Sequence, residues 1–146
     1  MSDPTYTVRT QIQRPPQQVF DAIVDEGLIC QYFTDRTSGP LVPGETVTWF
    51  WEDHGDYPVR VLEVSAPHRI VLVLDARQWK KDEQSYPVQI LFELESLEDG
   101  STMLAISESG WRTDEPGLRA SHENCSGWTH MAMCLKGYLE HGLCLR

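Results

Sequence analysis

The chain predicts an α+β fold in which an antiparallel sheet wraps around a long C-terminal helix. Three observations carry that reading. Trp128, Met131, Leu135 and Leu139 recur at intervals of three to four residues, which puts one apolar stripe along a helix. Leu91 to Trp111 alternates on both sides of an acidic, glycine-containing turn, the pattern of a β-hairpin. Finally, one strand, two short helices, a run of strands with hairpin-like links and one long helix follow each other in that order, with helices and strands segregated.

Thr5 to Gln13 is a short alternating run and reads as a strand. Pro15 and Pro16 then open a helix, since a helix needs no N–H donor at its first turn. Val19, Phe20, Ile23 and Val24 form the apolar face of this helix, and Gly27 is expected to end it. A second short helix is expected from Leu28 to Phe33. Pro43-Gly44 and Gly55 bracket a strand from Glu45 to Glu52, with Val47, Trp49 and Trp51 on one face and Thr48 and Phe50 on the other. Val59 to Val64 and Ile70 to Leu74 read as strands joined by Ala66-Pro67-His68. The second is apolar on both faces, as a covered central strand is. Trp79 to Ser85 reads as a polar loop.

The register of the last hairpin follows from its side chains. A two-residue Asp99-Gly100 turn would set Glu93 and Glu95 against Ile106 and Leu104, mixing charge with core. A three-residue loop, Glu98-Asp99-Gly100 with glycine left-handed, instead pairs Leu94 with Leu104 and Phe92 with Ile106. Ile90 then faces Glu108, which directs a carboxylate to the inner face near the end of the sheet.

The terminal helix is expected from Glu115, capped by Asp114 or Thr113, to a left-handed stop at Gly142. It would run about 40 Å at 1.5 Å per residue. Gly127 interrupts it at a cost of about 1 kcal/mol relative to alanine, which predicts a backbone pressed closely against a neighbour, or else a kink or break.

With 146 residues the chain is one domain able to bury its own core. A net charge of -10 and a pI near 4.8 argue against nucleic acid and anionic membrane as partners, because both select basic patches. Arg77, Lys80 and Lys81 form the one basic cluster and read as a solvated loop. No apolar run reaches spanning length and no leader pattern precedes one, so neither a membrane span nor a signal peptide is expected. Cys30, Cys125, Cys134 and Cys144 lack CxxC spacing and read as reduced thiols, which points to the cytoplasm.

Aromatic residues are the candidates for a cavity lining: Tyr32, Phe33, Trp49, Trp51, Phe92, Trp111 and Trp128. Ordinary core packing would use the same residues, and Trp128 reads first as an anchor of its helix. Met131 and Leu135 could face a cavity from the helix side. Glu108 is the carboxylate placed for polar recognition or acid–base work; the alternative places it in water at the sheet's rim. His130, Cys134 and His141 share helical spacing, but the first and last lie about 16 Å apart along the axis, too far for one ion. His130 with Cys134, or His122 with Cys125, would need outside ligands, so no metal is expected. There is no GxSxG elbow and no phosphate loop of the Walker or dinucleotide type, so no catalytic set and no cofactor are expected.

Four segments together resemble the START-like helix-grip superfamily (SRPBCC) and, within it, the family of the activator of Hsp90 ATPase homologue 1 (AHSA1-like). They are RPPQQVFDAIVDEGLICQYF (Arg14 to Phe33), VPGETV with VLEVSAPHRIVLVL (Val61 to Leu74), LFELESLEDGSTMLAISESGW (Leu91 to Trp111) and GWTHMAMCLKGYLEHG (Gly127 to Gly142). The resemblance implies a curved sheet gripping the terminal helix, with a cavity between them that in relatives holds apolar or amphipathic small molecules. It implies no catalytic set. The Trp49-Phe50-Trp51 triplet beside Glu52-Asp53-His54 departs from the pattern toward more aromatic content.

The expectation is therefore a non-catalytic binder of a hydrophobic or aromatic, lipid-like or polyketide-like small molecule. Two alternatives stand beside it: a chaperone-associated interaction module, and an enzyme of the cyclase or hydrolase kind using Glu108. Exposed edge strands leave a homodimer open.

Overall fold

The computed structural model describes residues 5–146. Strands β1 (Thr5–Ile12), β2 (Arg36–Thr37), β3 (Thr46–Trp51), β4 (Gly55–Ser65), β5 (Arg69–Asp75), β6 (Pro87–Ser96) and β7 (Thr102–Ser109) form one antiparallel sheet in the order β1-β7-β6-β5-β4-β3-β2. Helices α1 (Pro16–Val24) and α2 (Glu26–Ile29) carry the chain from the β1 edge to the β2 edge, and α3 (Glu115–His141) closes the domain. The curved sheet and the helix it grips make the predicted α+β helix-grip fold.

The last hairpin has the register its side chains dictate: Leu94 pairs with Leu104, Phe92 with Ile106 and Ile90 with Glu108. Leu97 N–H donates to Ser101 O at 2.9 Å, leaving Glu98, Asp99 and a left-handed Gly100 as the loop. Ile90, Phe92, Leu94, Leu104 and Ile106 are all buried against the core.

Helix α3 begins as expected, with Asp114 accepting from Gly117 N–H, and ends on left-handed Gly142. Trp128, Met131 and Leu135 are buried along its stripe, and Leu139 packs half-buried beside them. On the adjoining face Lys136 donates to Gln11 O and to Glu140, and Glu140 accepts from Gln13 N–H at 2.8 Å. These bonds moor the C-terminal half of the helix to the end of β1.

Four local expectations need correction. Gly27 does not end α1; that helix stops at Val24, and Asp25 turns the chain by capping α2 through Leu28 N–H. The second helix is Glu26–Ile29, earlier and shorter than Leu28 to Phe33, because an aspartate N-cap outweighs the apolar run after it. The segment from Trp79 to Ser85 is not wholly polar, since Trp79 is only 6% exposed and turns inward. Finally, no neighbour presses on Gly127: nothing lies within 4 Å of where a Cβ would sit, and α3 runs through it unbroken. The close approach occurs at Gly117 instead, where a Cβ would lie 2.1 Å from Arg112 O.

Candidate ligand-binding site

Between the outer strands of the sheet and the middle of α3 lies an open cavity of about 760 Å³. Of the six Phe, Tyr and Trp rings that line it, five touch in a closed circuit. Phe33 meets Trp51 at a centroid distance of 4.9 Å, Trp51 meets Tyr57 at 5.5 Å, and Tyr57 meets Trp79 at 5.3 Å. Trp79 meets Trp128 at 6.0 Å, and Trp128 returns to Phe33 at 6.1 Å. Trp49 lies behind this ring and contacts four of its members: Phe33 at 5.6 Å, Trp128 at 6.3 Å, and Trp51 and Trp79 at 6.4 Å each. Most of these contacts are edge-to-face or tilted, as ring quadrupoles favour.

The local sequence explains the cup. Alternation along β3 sends Trp49 and Trp51 to the same face of the sheet. Antiparallel pairing sets Tyr57 of β4 directly opposite Trp49. Phe33 arrives from the turn after α2, Trp79 from the β5–β6 connection and Trp128 from α3. Each indole is fixed through its nitrogen: Trp51 donates to Phe33 O at 2.6 Å, Trp79 to Pro58 O at 2.7 Å and Trp128 to Glu108 at 2.9 Å.

Glu108 is 1% exposed and lies on the inner face, not at a wet rim. Its carboxylate accepts four hydrogen bonds. Tyr6 and Trp111 donate to Oε1, each at 2.6 Å, and Asn124 and Trp128 donate to Oε2 at 3.0 and 2.9 Å. Four converging donors replace the water a buried carboxylate loses. Burial, reinforced by the adjacent carboxylate, pushes the Tyr6 phenol well above its ordinary range.

Of the residues singled out from sequence, Tyr32, Phe33, Trp51 and Trp128 line the cavity. Trp49, Phe92, Glu108, Trp111, Met131 and Leu135 are buried but are not part of its lining. Glu108 touches the site only through Asn124 and Trp128. Sequence reasoning missed Tyr57, Trp79 and Asn124. Tyr57 was legible as an inward position on a β4 begun earlier, at Gly55. Asn124 sits one helical turn before Trp128 on the buried face, which a search for apolar residues alone passes over.

At the rim, Arg146 pairs with Asp35 and donates to Cys30 O at 3.2 Å, and Lys81 pairs with Glu123 at 3.6 Å. His130 and Cys134 also line the cavity, with Nε2 and Sγ 3.4 Å apart. Among the described residues no third His, Cys, Asp or Glu joins them as a metal cluster. Burial, with a smaller contribution from Cys144, raises the Cys134 thiol above its ordinary value. Among the same residues no helix is long and apolar enough to cross a membrane.

A curved antiparallel sheet closed on a long C-terminal helix, with a cavity between them, defines a helix-grip protein. The chain belongs to the Activator of Hsp90 ATPase homolog 1-like protein family, whose model matches residues 13–140. No curated protein sequence matches it. Among solved structures it is similar to a protein of Staphylococcus saprophyticus, with 24% identity and a TM-score of 0.80 over 98% of this chain and 96% of that one. It is also similar to the Aha1 dimer of Colwellia psychrerythraea in solution, with 20% identity and a TM-score of 0.75 over 95% and 98%. DynU16, from the dynemicin biosynthetic locus, matches with 20% identity and a TM-score of 0.78 over 96% of this chain and 48% of its own length.

Proposed function

We propose that this protein binds a small molecule with a hydrophobic or aromatic body in the five-ring cup, without catalysing its conversion. The observation that carries this reading is the cup itself. The closed circuit of Phe33, Trp51, Tyr57, Trp79 and Trp128 leaves about 760 Å³ open, a volume suited to a small organic ligand. Rings held by their own hydrogen bonds are ordered before a ligand arrives, which lowers the entropic cost of binding. A non-catalytic role is supported by Glu108, whose hydrogen bonds hold the wall together and whose carboxylate does not line the cavity. The helix-grip likeness to DynU16, a protein of the dynemicin biosynthetic locus, is consistent with a role involving a small organic molecule. Free thiols at Cys30, Cys125, Cys134 and Cys144 support a cytoplasmic setting for the same role.

The test is a thermal-shift series with aromatic and lipid-like compounds on the wild type and on Trp51→Ala, with native mass spectrometry for a copurified ligand. A ligand that binds only the folded state raises its stability by mass action. A shift that Trp51→Ala removes is the expected result; no shift from any class and no copurified mass would overturn the proposal.

A second reading, a chaperone-facing interaction module that works as a homodimer, is favoured by the family description and by the dimeric relative. Leu118 and Met133, both largely exposed on α3, offer it an apolar contact. An unchanged Hsp90 ATPase rate on adding the purified protein would reject it.

A further inference from the structure

The polar atoms of the cup say what chemistry its ligand carries, an inference that rests on the binding reading above. The indole N–H groups of Trp51, Trp79 and Trp128 all donate into the surrounding wall. The cup therefore offers the negative π surfaces of its rings and no indole donor. Asn124 is 5% exposed and lines the cavity. Its Nδ2 is committed to the Glu108 carboxylate, which fixes the amide orientation and leaves Oδ1 without a partner among the described residues. No buried side-chain oxygen there is both sealed and unsatisfied, so Oδ1 keeps accessible surface as an acceptor on a residue that lines the cavity.

The mouth repeats this imbalance. Its two lining cations are engaged, Lys81 by Glu123 and Arg146 by Asp35, and just outside the lining Lys80 Nζ donates to His54 O at 2.9 Å and lies 4.8 Å from the centre of the Tyr57 ring. Glu52 and Asp53, also in the lining, have side-chain carboxylates with no hydrogen-bond or ion-pair partner among the described residues. His54 and His130 complete the polar rim, and the Tyr57 hydroxyl can either donate or accept. An open amide oxygen, ring faces and two uncompensated carboxylates all favour one kind of visitor: a group that donates hydrogen bonds and carries positive charge.

We propose that the cavity selects an amphipathic organic cation. Its apolar or aromatic body lies within the ring of Phe33, Trp51, Tyr57, Trp79 and Trp128. Its protonated amine donates to Asn124 Oδ1 and is balanced at longer range by Glu52 and Asp53. A carboxylate or phosphate ligand meets the opposite conditions, with acceptors facing acceptors and both lining cations already paired.

Calorimetric titration with three matched probes, phenylbutylammonium, phenylbutanol and phenylbutyrate, tests this. The ammonium should bind about 10-fold more tightly than the alcohol, with the carboxylate weakest, as a partly desolvated cation over aromatic faces and near carboxylates implies. The exposed double variant Glu52→Gln/Asp53→Asn should weaken the ammonium about 3-fold or more, and leave the alcohol unchanged, because only the charged probe feels those carboxylates. Alcohol or carboxylate binding as tight as the ammonium's would overturn the cation inference and leave the cavity reading standing. Absence of binding by all three would overturn both.

Discussion

Glu108 and Trp128, twenty positions apart in the chain, are joined by a 2.9 Å hydrogen bond from the indole N–H to the carboxylate. This bond ties the inner face of β7 to the middle of α3. It also fixes one of the five rings of the cup, so the carboxylate shapes the site without entering it.

Glu108→Gln keeps the shape but replaces one acceptor oxygen by a donor. With its amide nitrogen toward Tyr6 and Trp111, Tyr6 can rotate to accept, but the Trp111 N–H is stranded. With the nitrogen toward Asn124 and Trp128, Asn124 can flip, but the Trp128 N–H is stranded. A buried unsatisfied donor together with lost charge-assisted bonds should cost about 2–4 kcal/mol. Urea melts should show a lower midpoint; wild-type stability would mean that Glu108 does not organise the wall.

Trp49 and Trp51, two residues apart, should separate stability from binding. Trp49 is 1% exposed beneath the cup, so Trp49→Ala should lose about 3–5 kcal/mol of stability. Trp51 is half-buried in the lining, so Trp51→Ala should lose less stability but most of the affinity for an aromatic probe. Parallel denaturation and titration of the two variants check this.

The helix glycines should respond in opposite ways. Gly127 is helical with open space at its Cβ, so Gly127→Ala should stabilise the fold by about 1 kcal/mol. Gly127→Phe would project from the cavity lining and should reduce ligand affinity without unfolding the chain. Gly117→Ala would drive a methyl into Arg112 O and should destabilise by about 1–3 kcal/mol. Melting temperatures of the three variants, with one titration, distinguish the cases.

Alkaline pH should unfold the protein. Burial raises the phenols of Tyr6 and Tyr32 above the ordinary value of 10.0, with the Glu108 carboxylate adding to the effect at Tyr6. Above pH 10 the unfolded chain releases tyrosine protons that the folded state retains. Stability is therefore unaffected by these groups below that pH and falls as pH rises beyond it, by about 1.4 kcal/mol per pH unit for each fully retained proton. Chemical denaturation between pH 8 and 11 should show the decline, and Tyr6→Phe should flatten it.

The fold was legible because it rests on local and periodic signals. The stripe through Trp128, Met131 and Leu135 marks a helix wherever it is read, and left-handed Gly142 ends it. The hairpin register needed only the rule that Leu94, Phe92 and Ile90 share a face, which set Glu108 opposite Ile90, while the choice between the inner face and the wet rim waited for the fold. Boundaries set by one polar side chain were harder to read, as at Asp25, where a single cap moved α2.

The site depended on the fold closing. Phe33, Trp51, Tyr57, Trp79 and Trp128 come from five separate segments, and no spacing in the chain records that their rings will meet. Tertiary structure also decided which aromatics face open space and which support them from behind. Trp49 and Trp51 share a strand face, yet one is sealed and the other lines the cavity. Periodicity assigns a residue to a face of its own element, whereas a cavity is what remains when faces from distant elements pack together. The sequence alone could therefore determine the helix and the hairpin, and leave Glu108 between the inner face and the rim, but its burial, the cup in front of Trp49 and the open oxygen of Asn124 exist only once sheet and helix have met.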